Sequence, residues 1–523
     1  MIDVLIFTDR SPEQRHRWGK KLNSIRYGYS AGPYKIASIL RQMGFKVLVV
    51  SSCFNLSFAA IKKIITKHKD SLLWVGISTT LMQMISKDYE GYRTQWKETT
   101  NDFADVSLLY GEILYSFKGA KFEMPWHQNE IWLLSEFLDS INIPLILGGS
   151  NITNHLNGGI QKIHKNTFFV RGNAEQWVRD YTSSKIKNRQ LQPPYENNNS
   201  QYDAVEFKNS KILWTEDDLI EPDDWLPIEV ARGCAFNCAY CTYEHKGKFD
   251  LYKNPKVLYE ELVKNYETFG TTKYLIIDDL YNDSKEKVRV LYDEVWSKLP
   301  FRAEWTSYMR LDMFWADPES AEIILASGAR CGVFGIETLH PVAGKKVGKG
   351  LGKTRILETL THLKKTWSDE IIISGNFVAG LPDEPVESII ETLEWSTNSD
   401  LMHTVSWMPL FIASPHLLSK KTNISKIDAD NAKYQFTWVN GEWKNNVGVT
   451  FSIADQLISD YYENKYKKYR IHHGNYCDLR NLGLSHSNIV EITSTDIEKL
   501  PLNYWGDLIE AKVEKRLLKI LNF

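Results

Sequence analysis

In residues 1–185, short apolar runs alternate with segments whose apolar residues recur every three or four positions. A short apolar run predicts a buried strand, and the wider spacing predicts an amphipathic helix. The predicted strands are residues 2–7, 46–50, 72–78, 143–147 and 167–170. Because strands that alternate with helices form parallel sheets, this region is predicted to be a doubly wound, Rossmann-like domain.

The same alternation returns near residue 226 and continues to about residue 420. The predicted strands are residues 226–230, 274–277, 302–308, 331–336, 371–378 and 404–410, with a helix between most neighbours. Six such strands predict a partial (β/α)6 barrel over residues 227–420. By analogy with the full barrel, we expect its chemical groups at the carboxyl ends of the strands.

Between these two regions, residues 186–226 have a low apolar content and predict a linker. Within it, residues 204–214 predict a short hairpin arm, and the acidic residues in 217–224 predict a solvated loop rather than a metal site.

Two further regions complete the expected α/β layout. Residues 421–523 predict a small α+β C-terminal region, with a hairpin that turns at Asn440 and Gly441. An insertion at residues 81–125, rich in Tyr and Trp, follows the third predicted strand. It either overhangs a ligand crevice at that strand end or serves as a lid or dimer contact with no ligand role.

Composition narrows the function classes. The chain has 523 residues, 43% of them apolar, and a net charge of -2, so no nucleic-acid partner is indicated. It contains no apolar run long enough for a membrane span and no N-terminal pattern typical of a signal peptide. The six cysteines do not resemble a disulfide framework, and we expect a cytoplasmic protein.

Three cysteines carry the most specific chemistry. Cys234, Cys238 and Cys241 have the spacing C-x3-C-x2-C on a loop that follows the strand at 226–230. Three thiolates can hold three irons of a [4Fe-4S] cluster and leave the fourth iron open to a small molecule. A structural zinc site is the alternative, but it needs a fourth ligand, for which His245 is the only near candidate. We favour the cluster.

The cysteine loop, with Tyr240 before its last cysteine, resembles the motif of the radical S-adenosylmethionine (SAM) enzymes. The resemblance implies that the amino and carboxylate groups of SAM chelate the open iron. It further implies reductive cleavage of SAM to a 5'-deoxyadenosyl radical, or a related use of SAM at the same cluster. The electron donor would then be a reductase, a flavodoxin or a ferredoxin.

The family's SAM-binding segments find matches at the predicted strand ends. Asp278 and Asp279 take the position that holds the SAM amino group, which suits an acidic side chain. Arg310 takes a position from which a guanidinium can face the SAM carboxylate.

Two more segments match in order and spacing. Glu337 ends a segment similar to the family's segment near the ribose of SAM. Gly375 and Gly380 lie in a segment similar to the family's segment beside the adenine of SAM. Glycine there permits close approach.

The N-terminal region resembles the cobalamin-binding-type domain of the cobalamin-associated (class B) subgroup. The matching segments are ILGGSNIT, which contains Gly148 and Gly149, and VRGNAEQWV, which contains Gly172 and Glu175. The chain has no D-x-H-x-x-G motif, so cobalamin is expected to bind without a histidine lower ligand.

The resemblance implies cobalamin-dependent methyl transfer to an unactivated carbon. The alternative is a cobalamin-independent rearrangement, cyclisation, epimerisation or cross-linking, with the N-terminal domain as a recognition module. A non-enzymatic iron–sulfur scaffold is disfavoured by the acidic and glycine segments. The substrate, a small molecule or a peptide, is not identified, no catalytic residue is assigned, and the C-terminal region is expected to close the barrel mouth.

Overall fold

The computed structural model describes residues 1–8, 28–51, 53, 58–78, 108–109, 114–115, 128–149, 166–170, 174–186, 204–243, 246–247, 251–278, 280–413, 424–466, 471, 473–496, 512, 515–516 and 518–520. Among these residues, no helix has the length and apolar character needed to cross a membrane.

The N-terminal region has seven described strands: β1 (Val4–Phe7), β2 (Val47–Val50), β3 (Trp74–Ser78), β4 (Leu108–Leu109), β5 (Leu114–Tyr115), β6 (Leu145–Gly148) and β7 (Thr167–Val170). Five of them form one parallel sheet in the order β2-β1-β3-β6-β7. This is the strand order of one common doubly wound fold. The predicted parallel sheet is confirmed.

The helices described beside this sheet are α1 (Ala31–Gln42), α2 (Phe58–His68), α3 (Gln128–Ser140) and α4 (Glu175–Ile186). The strands are mainly apolar because both faces of the sheet are covered, and β1, β2 and β7 are entirely buried. Within the insertion, only the short antiparallel pair β4–β5 is described, so its expected role stays a prediction.

The central region contains the strands β8 (Trp225–Ile228), β9 (Ala231–Arg232), β10 (Leu251–Tyr252), β11 (Lys273–Ile276), β12 (Glu304–Met309), β13 (Ala329–Glu337), β14 (Ile372–Ala379) and β15 (Thr404–Pro409). Six of them form a parallel sheet in the order β15-β14-β13-β12-β11-β8. In this sheet, neighbours in sequence are neighbours in space, and β8 and β15 are its edges. The second predicted parallel sheet is thus confirmed as an open one.

The helices of the central region are α5 (Ala204–Asn209), α6 (Pro255–Phe269), α7 (Lys285–Glu294), α8 (Leu311–Ala316), α9 (Ser320–Ala326), α10 (Pro341–Val347), α11 (Lys353–Trp367) and α12 (Val386–Asn398). Their ends follow local sequence rules. Asn254 caps the amino end of α6, where its side chain accepts a hydrogen bond from the Lys256 N–H, and Gly270 caps the carboxyl end in the left-handed conformation.

The C-terminal region contains α13 (Lys426–Ala429), β16 (Thr437–Val439), β17 (Glu442–Lys444), α14 (Phe451–Asn464), α15 (His473–Asn481) and α16 (His486–Ser494). The hairpin β16–β17 turns at Asn440 and Gly441 as predicted, and both residues have positive φ.

This region contacts both ends of the central sheet. At the carboxyl ends of β14 and β15, Trp443 donates a hydrogen bond to the Leu410 carbonyl and Asn445 donates one to the Leu381 carbonyl. At the amino ends, α15 packs beneath the sheet, with the rings of Tyr476 and Trp225 5.4 Å apart. The prediction that the C-terminal region closes the barrel mouth therefore concerns only its contacts at the carboxyl ends of the strands and not those at the amino ends.

Two local predictions are wrong. The expected hairpin arm over residues 204–214 is a helix, α5, followed by an extended segment. Its Phe207 is fully buried, where its ring contacts Lys35 and Arg232, so tertiary packing selects the helix.

The prediction of a solvated loop for the acidic stretch over residues 217–224 is wrong for two of its carboxylates, although Asp217 and Asp223 are exposed. Asp218 is buried and accepts two hydrogen bonds from Arg41, at 2.7 and 2.8 Å. Asp224 is also buried and accepts a hydrogen bond from the Tyr29 hydroxyl. The stretch therefore ties the N-terminal region to the start of the central sheet.

Candidate active site

The cysteine loop follows β8 and β9 and is held by backbone hydrogen bonds from three directions. The Ala239 N–H donates to the Val347 carbonyl at 3.0 Å, and the Ile427 N–H donates to the Ala239 carbonyl at 3.1 Å. Within the loop, the Gly247 N–H donates to the Phe236 carbonyl at 2.8 Å. The loop thus has a defined shape set by α10 and α13.

None of the three cysteines of the loop forms a disulfide. Cys238 is buried, whereas Cys234 and Cys241 are half-buried. Burial raises the pKa of the Cys234 thiol to about 11. A soft metal would replace the proton and bind the thiolate, as thiolate ligation requires.

No three His, Cys, Asp or Glu side chains among the described residues are grouped around a position for one metal ion. A cubane cluster does not require such a group, because each cysteine binds a different iron. A single zinc ion does require its ligands around one point. His245, the fourth zinc ligand considered above, lies outside the described residues.

Arg310 immediately follows β12 and points at the cysteine loop. Its guanidinium Nη1 lies 3.3 Å from the Cys238 Sγ, and its centre lies 3.7 Å from the centroid of the Phe236 ring. Asp312 accepts hydrogen bonds from Nε and Nη2 at 2.8 and 2.5 Å. The structure therefore brings Arg310 to the loop, but Nε and Nη2 of its guanidinium are already paired with the Asp312 carboxylate.

Glu337 ends β13 and is linked to the loop through Tyr240. The Tyr240 hydroxyl donates a hydrogen bond of 2.7 Å to Glu337 Oε1, and the Lys349 ammonium lies 3.5 Å from the same oxygen. Burial, reinforced by the Glu337 charge, holds the pKa of Tyr240 well above its usual range. Glu337 also has a positive φ of 68°, so the backbone is strained where the strand meets the site.

Asp278 follows β11 and is buried, with Oδ1 accepting a hydrogen bond of 2.9 Å from the Val230 N–H. It therefore fixes the chain just before the cysteine loop. Asp279, its predicted partner, lies outside the described residues.

The two predicted glycines, Gly375 in β14 and Gly380 just after it, face protein side chains. A Cβ at Gly375 would lie 2.5 Å from the Met402 sulfur, and one at Gly380 would lie 2.3 Å from the Trp443 ring. Both positions thus require glycine, but the close approach that the structure shows is packing within the protein. Contact with an adenine stays a prediction.

Glu384 is a residue of this region that the sequence reasoning missed. It is fully buried and accepts hydrogen bonds from the Gly380 and Leu381 N–H groups and from the Thr338 hydroxyl. Burial raises the pKa of this carboxyl to about 7, although these three donors oppose the shift. The sequence signal for Glu384 was its position four residues after Gly380, in the turn that follows β14.

In the N-terminal sheet, Gly148 and Gly149 lie at the carboxyl end of β6, and Gly149 has a φ of 112°. Gly172 lies outside the described residues. Glu175 begins α4 just after the carboxyl end of β7, and its carboxylate lies 3.1 Å from the Arg232 guanidinium. Arg232 immediately precedes the Gly233-Cys234 turn, so the carboxyl edges of the two parallel sheets face each other here.

Further charges reinforce this contact between the sheets. Arg232 also donates to Glu229 at 2.6 Å, and Lys35 of α1 forms a second ion pair with Glu229. Burial by itself would raise the pKa of Glu229, but Lys35, Arg232 and Lys253 together lower it to about 2.

No protein-family model matches the chain. The chain is 20% identical over 292 residues to an uncharacterized methyltransferase of Pyrococcus horikoshii, a match that covers 53% of this chain and 61% of that protein. It is 25% identical over 210 residues to the bacteriochlorophyllide d C-12(1)-methyltransferase of Chlorobaculum tepidum, covering 39% of this chain and 44% of that protein. The matches therefore span about half the length of these relatives.

Two solved structures share the fold across nearly the whole chain. The radical S-adenosylmethionine methyltransferase TsrM from Kitasatospora setae, with cobalamin and a [4Fe-4S] cluster bound, has a TM-score of 0.55 at 14% identity and 99% coverage of both chains. The cobalamin-dependent S-adenosylmethionine radical enzyme OxsB has a TM-score of 0.52 at 12% identity, covering 99% of this chain and 72% of its own. The resemblance drawn from the sequence is thus confirmed as a likeness of fold.

Proposed function

We propose that the protein is a radical SAM enzyme that holds a [4Fe-4S] cluster on Cys234, Cys238 and Cys241, cleaves SAM and uses cobalamin to transfer a methyl group to an unactivated carbon. One observation carries the proposal. The three-cysteine loop lies at the carboxyl edge of a six-stranded parallel sheet and is contacted there by the predicted strand-end residues Arg310 and Glu337, the latter through Tyr240.

The donor set fits an iron–sulfur cluster. Three cysteines on a single loop, none of them in a disulfide, provide three soft ligands, and a cluster held by three cysteines keeps one iron open. The partial burial of Cys234 and Cys241 leaves the loop accessible on one side, while Cys238 is enclosed by Arg310 and the backbone near Gly348.

The residues around the loop suit SAM as a ligand. The Asp278 carboxylate and the neighbouring Asp279 would bind the ammonium group, and the Glu337 side chain would orient the ribose. Tyr240 and Lys349 hold the Glu337 carboxylate in place, so the acceptor is fixed before the ligand arrives. When bound, the cluster would supply the electron that cleaves SAM, and cobalamin would carry the methyl group.

The N-terminal sheet suits a cobalamin ligand on one geometric ground. Ligands of an open parallel sheet bind outside the carboxyl ends of its strands, and Gly148, Gly149 and Glu175 lie at those ends. Because Glu175 contacts Arg232, a ligand at that edge would face the cysteine loop. This is the arrangement that a reaction using both cofactors needs.

A metal analysis of the whole protein tests the proposal. The protein is purified without oxygen, reconstituted with iron and sulfide, incubated with hydroxocobalamin and freed of excess, and iron, sulfide and cobalt are measured in one sample. We expect about four irons and about one cobalt per chain, with 5'-deoxyadenosine and S-adenosylhomocysteine formed after addition of SAM and a reductant.

One control variant and two further outcomes separate the roles of the cluster and the corrinoid. The triple variant Cys234→Ala, Cys238→Ala, Cys241→Ala should lose the iron but keep the cobalt, because the proposed corrinoid residues lie in the other sheet. About four irons without cobalt would remove cobalamin from the proposal and leave hydrogen-abstraction chemistry. Absence of both iron and SAM cleavage in the unmodified protein would overturn it entirely.

A further inference from the structure

Arg310 is held in one position by contacts that leave its side chain little freedom. Its backbone N–H donates to Asn282 Oδ1 at 2.9 Å, and its carbonyl accepts from Asn282 Nδ2 at 3.0 Å. Its guanidinium lies against the Phe236 ring, 3.7 Å from the centroid. The residue is only 6% exposed, so water competes weakly for its N–H groups.

Most N–H donors of this guanidinium already have acceptors within the protein. Nε and Nη2 form a bidentate pair with the Asp312 carboxylate, and Nη2 also lies 3.2 Å from the Gly348 carbonyl. Nη1 is directed at the Cys238 Sγ, at 3.3 Å. The side-on face formed by Nε and Nη2 is thus occupied by Asp312, and Nη1 meets a cysteine sulfur.

The geometry points to Arg310 as the residue that sets the reduction potential of the cluster, through its hydrogen bond and positive charge at the Cys238 sulfur, with Asp312 opposing that charge. The inference rests on the proposed function, because it requires the cluster. It assigns Arg310 a positioning and tuning role that is separate from the contact with the SAM carboxylate expected from the sequence.

The physical reason is the charge of the two cluster states. Reduction adds one electron, supplied by a reductase, flavodoxin or ferredoxin, and no bond in Arg310 forms or breaks. A buried cation and an N–H donor at a ligand sulfur stabilise the more negative, reduced state. Arg310 therefore raises the potential, whereas the Asp312 carboxylate lowers it, and the two substitutions should shift the potential in opposite directions.

The experiment is a redox titration of the reconstituted protein without SAM, followed by electron paramagnetic resonance of the reduced cluster. Arg310→Gln should lower the midpoint potential, with at least a tenfold change in the reduction equilibrium, which is about 59 mV for one electron. Asp312→Asn should raise the potential. Arg355→Gln is the matched control. Arg355 lies on α11, where its guanidinium stacks on Trp315, and this substitution should leave the potential unchanged.

Each outcome decides the inference. An unchanged potential in Arg310→Gln would overturn it, even if SAM affinity falls, since the residue would then act on SAM alone. If Arg310→Gln fails to hold iron, Asp312→Asn decides, and a fall or no change in its potential would also overturn the inference. Absence of a cluster in the unmodified protein would overturn the proposed function instead.

Discussion

The carboxylate of Glu175 lies 3.1 Å from the guanidinium of Arg232 and joins the two parallel sheets at their carboxyl edges. Glu175 begins the helix after β7, and Arg232 lies two residues before Cys234. Because both side chains are largely buried, this ion pair is weakly screened by solvent. The turn proposed to bind cobalamin is therefore in direct contact with the loop proposed to hold the cluster.

We predict that this ion pair contributes measurably to the free energy that holds the two sheets together. In a double-mutant cycle of Glu175→Gln and Arg232→Gln, we expect a coupling energy of about 1 kcal/mol for the first unfolding transition in denaturant. The value is limited because Arg232 also pairs with Glu229. Purely additive effects of the two substitutions would show that the contact is not energetically coupled.

Cys238 should be required for the cluster. Cys238→Ala removes the most buried thiol of the loop and one of three iron ligands, so iron content and SAM cleavage should both fall to background. The matched control is Cys53→Ala, which removes a buried cysteine of the N-terminal region. A Cys238→Ala protein that still forms 5'-deoxyadenosine would contradict the assignment of the loop.

The Tyr240 hydroxyl should stabilise the site through Glu337. Tyr240→Phe removes the 2.7 Å hydrogen bond to a buried carboxylate, which retains the Lys349 ammonium at 3.5 Å. Leaving a buried acceptor short of its donor costs about 1–3 kcal/mol of folding free energy. Tyr266→Phe, at an exposed tyrosine, serves as control and should cost almost nothing. Equal losses in the two variants would refute the prediction.

His403 should make the protein less stable in mild acid. Burial, followed by the nearby Lys364, lowers the pKa of its imidazole to about 4. Its Nδ1 accepts a hydrogen bond of 3.0 Å from the Ile373 N–H, which requires the neutral ring.

The sign follows from the lowered pKa. The unfolded imidazole binds a proton near its ordinary pKa of 6.5, so the stabilisation is complete above that pH and is lost as the pH falls through about 4. The full loss is about 3 kcal/mol. His403→Asn keeps an acceptor for Ile373 without the titration, so its unfolding free energy should change less between pH 7.5 and pH 5. The same pH dependence in both proteins would refute this origin.

The order of strands and helices was readable from the sequence because it depends on local patterns. The mainly apolar run at 371–378, for example, predicted a strand that the structure gives as Ile372–Ala379, since a parallel strand covered on both faces is rich in apolar residues. The cysteine spacing also required no tertiary information, because its three members lie on one loop.

The structure of residues 204–214 and of the acidic stretch could not be predicted from the local sequence, because the residues that they contact are distant in the chain. The helix is favoured because Phe207 packs against Lys35 and Arg232. Asp218 is buried in an ion pair with Arg41, which lies 177 residues earlier in the chain. No window of the sequence contains both members of such a pair, so the local composition indicated a hairpin and a solvated loop.

By itself, the sequence determined two parallel sheets, the cysteine loop and the carboxylates and arginine at the strand ends. Only the tertiary structure decided that Arg310 meets the Cys238 sulfur while Asp312 occupies its other face, and that Glu175 reaches Arg232. The physical reason is range. Hydrophobic periodicity acts over one element, whereas an ion pair or a hydrogen bond needs two side chains within about 3 Å, a distance that only the folded arrangement of both sheets sets.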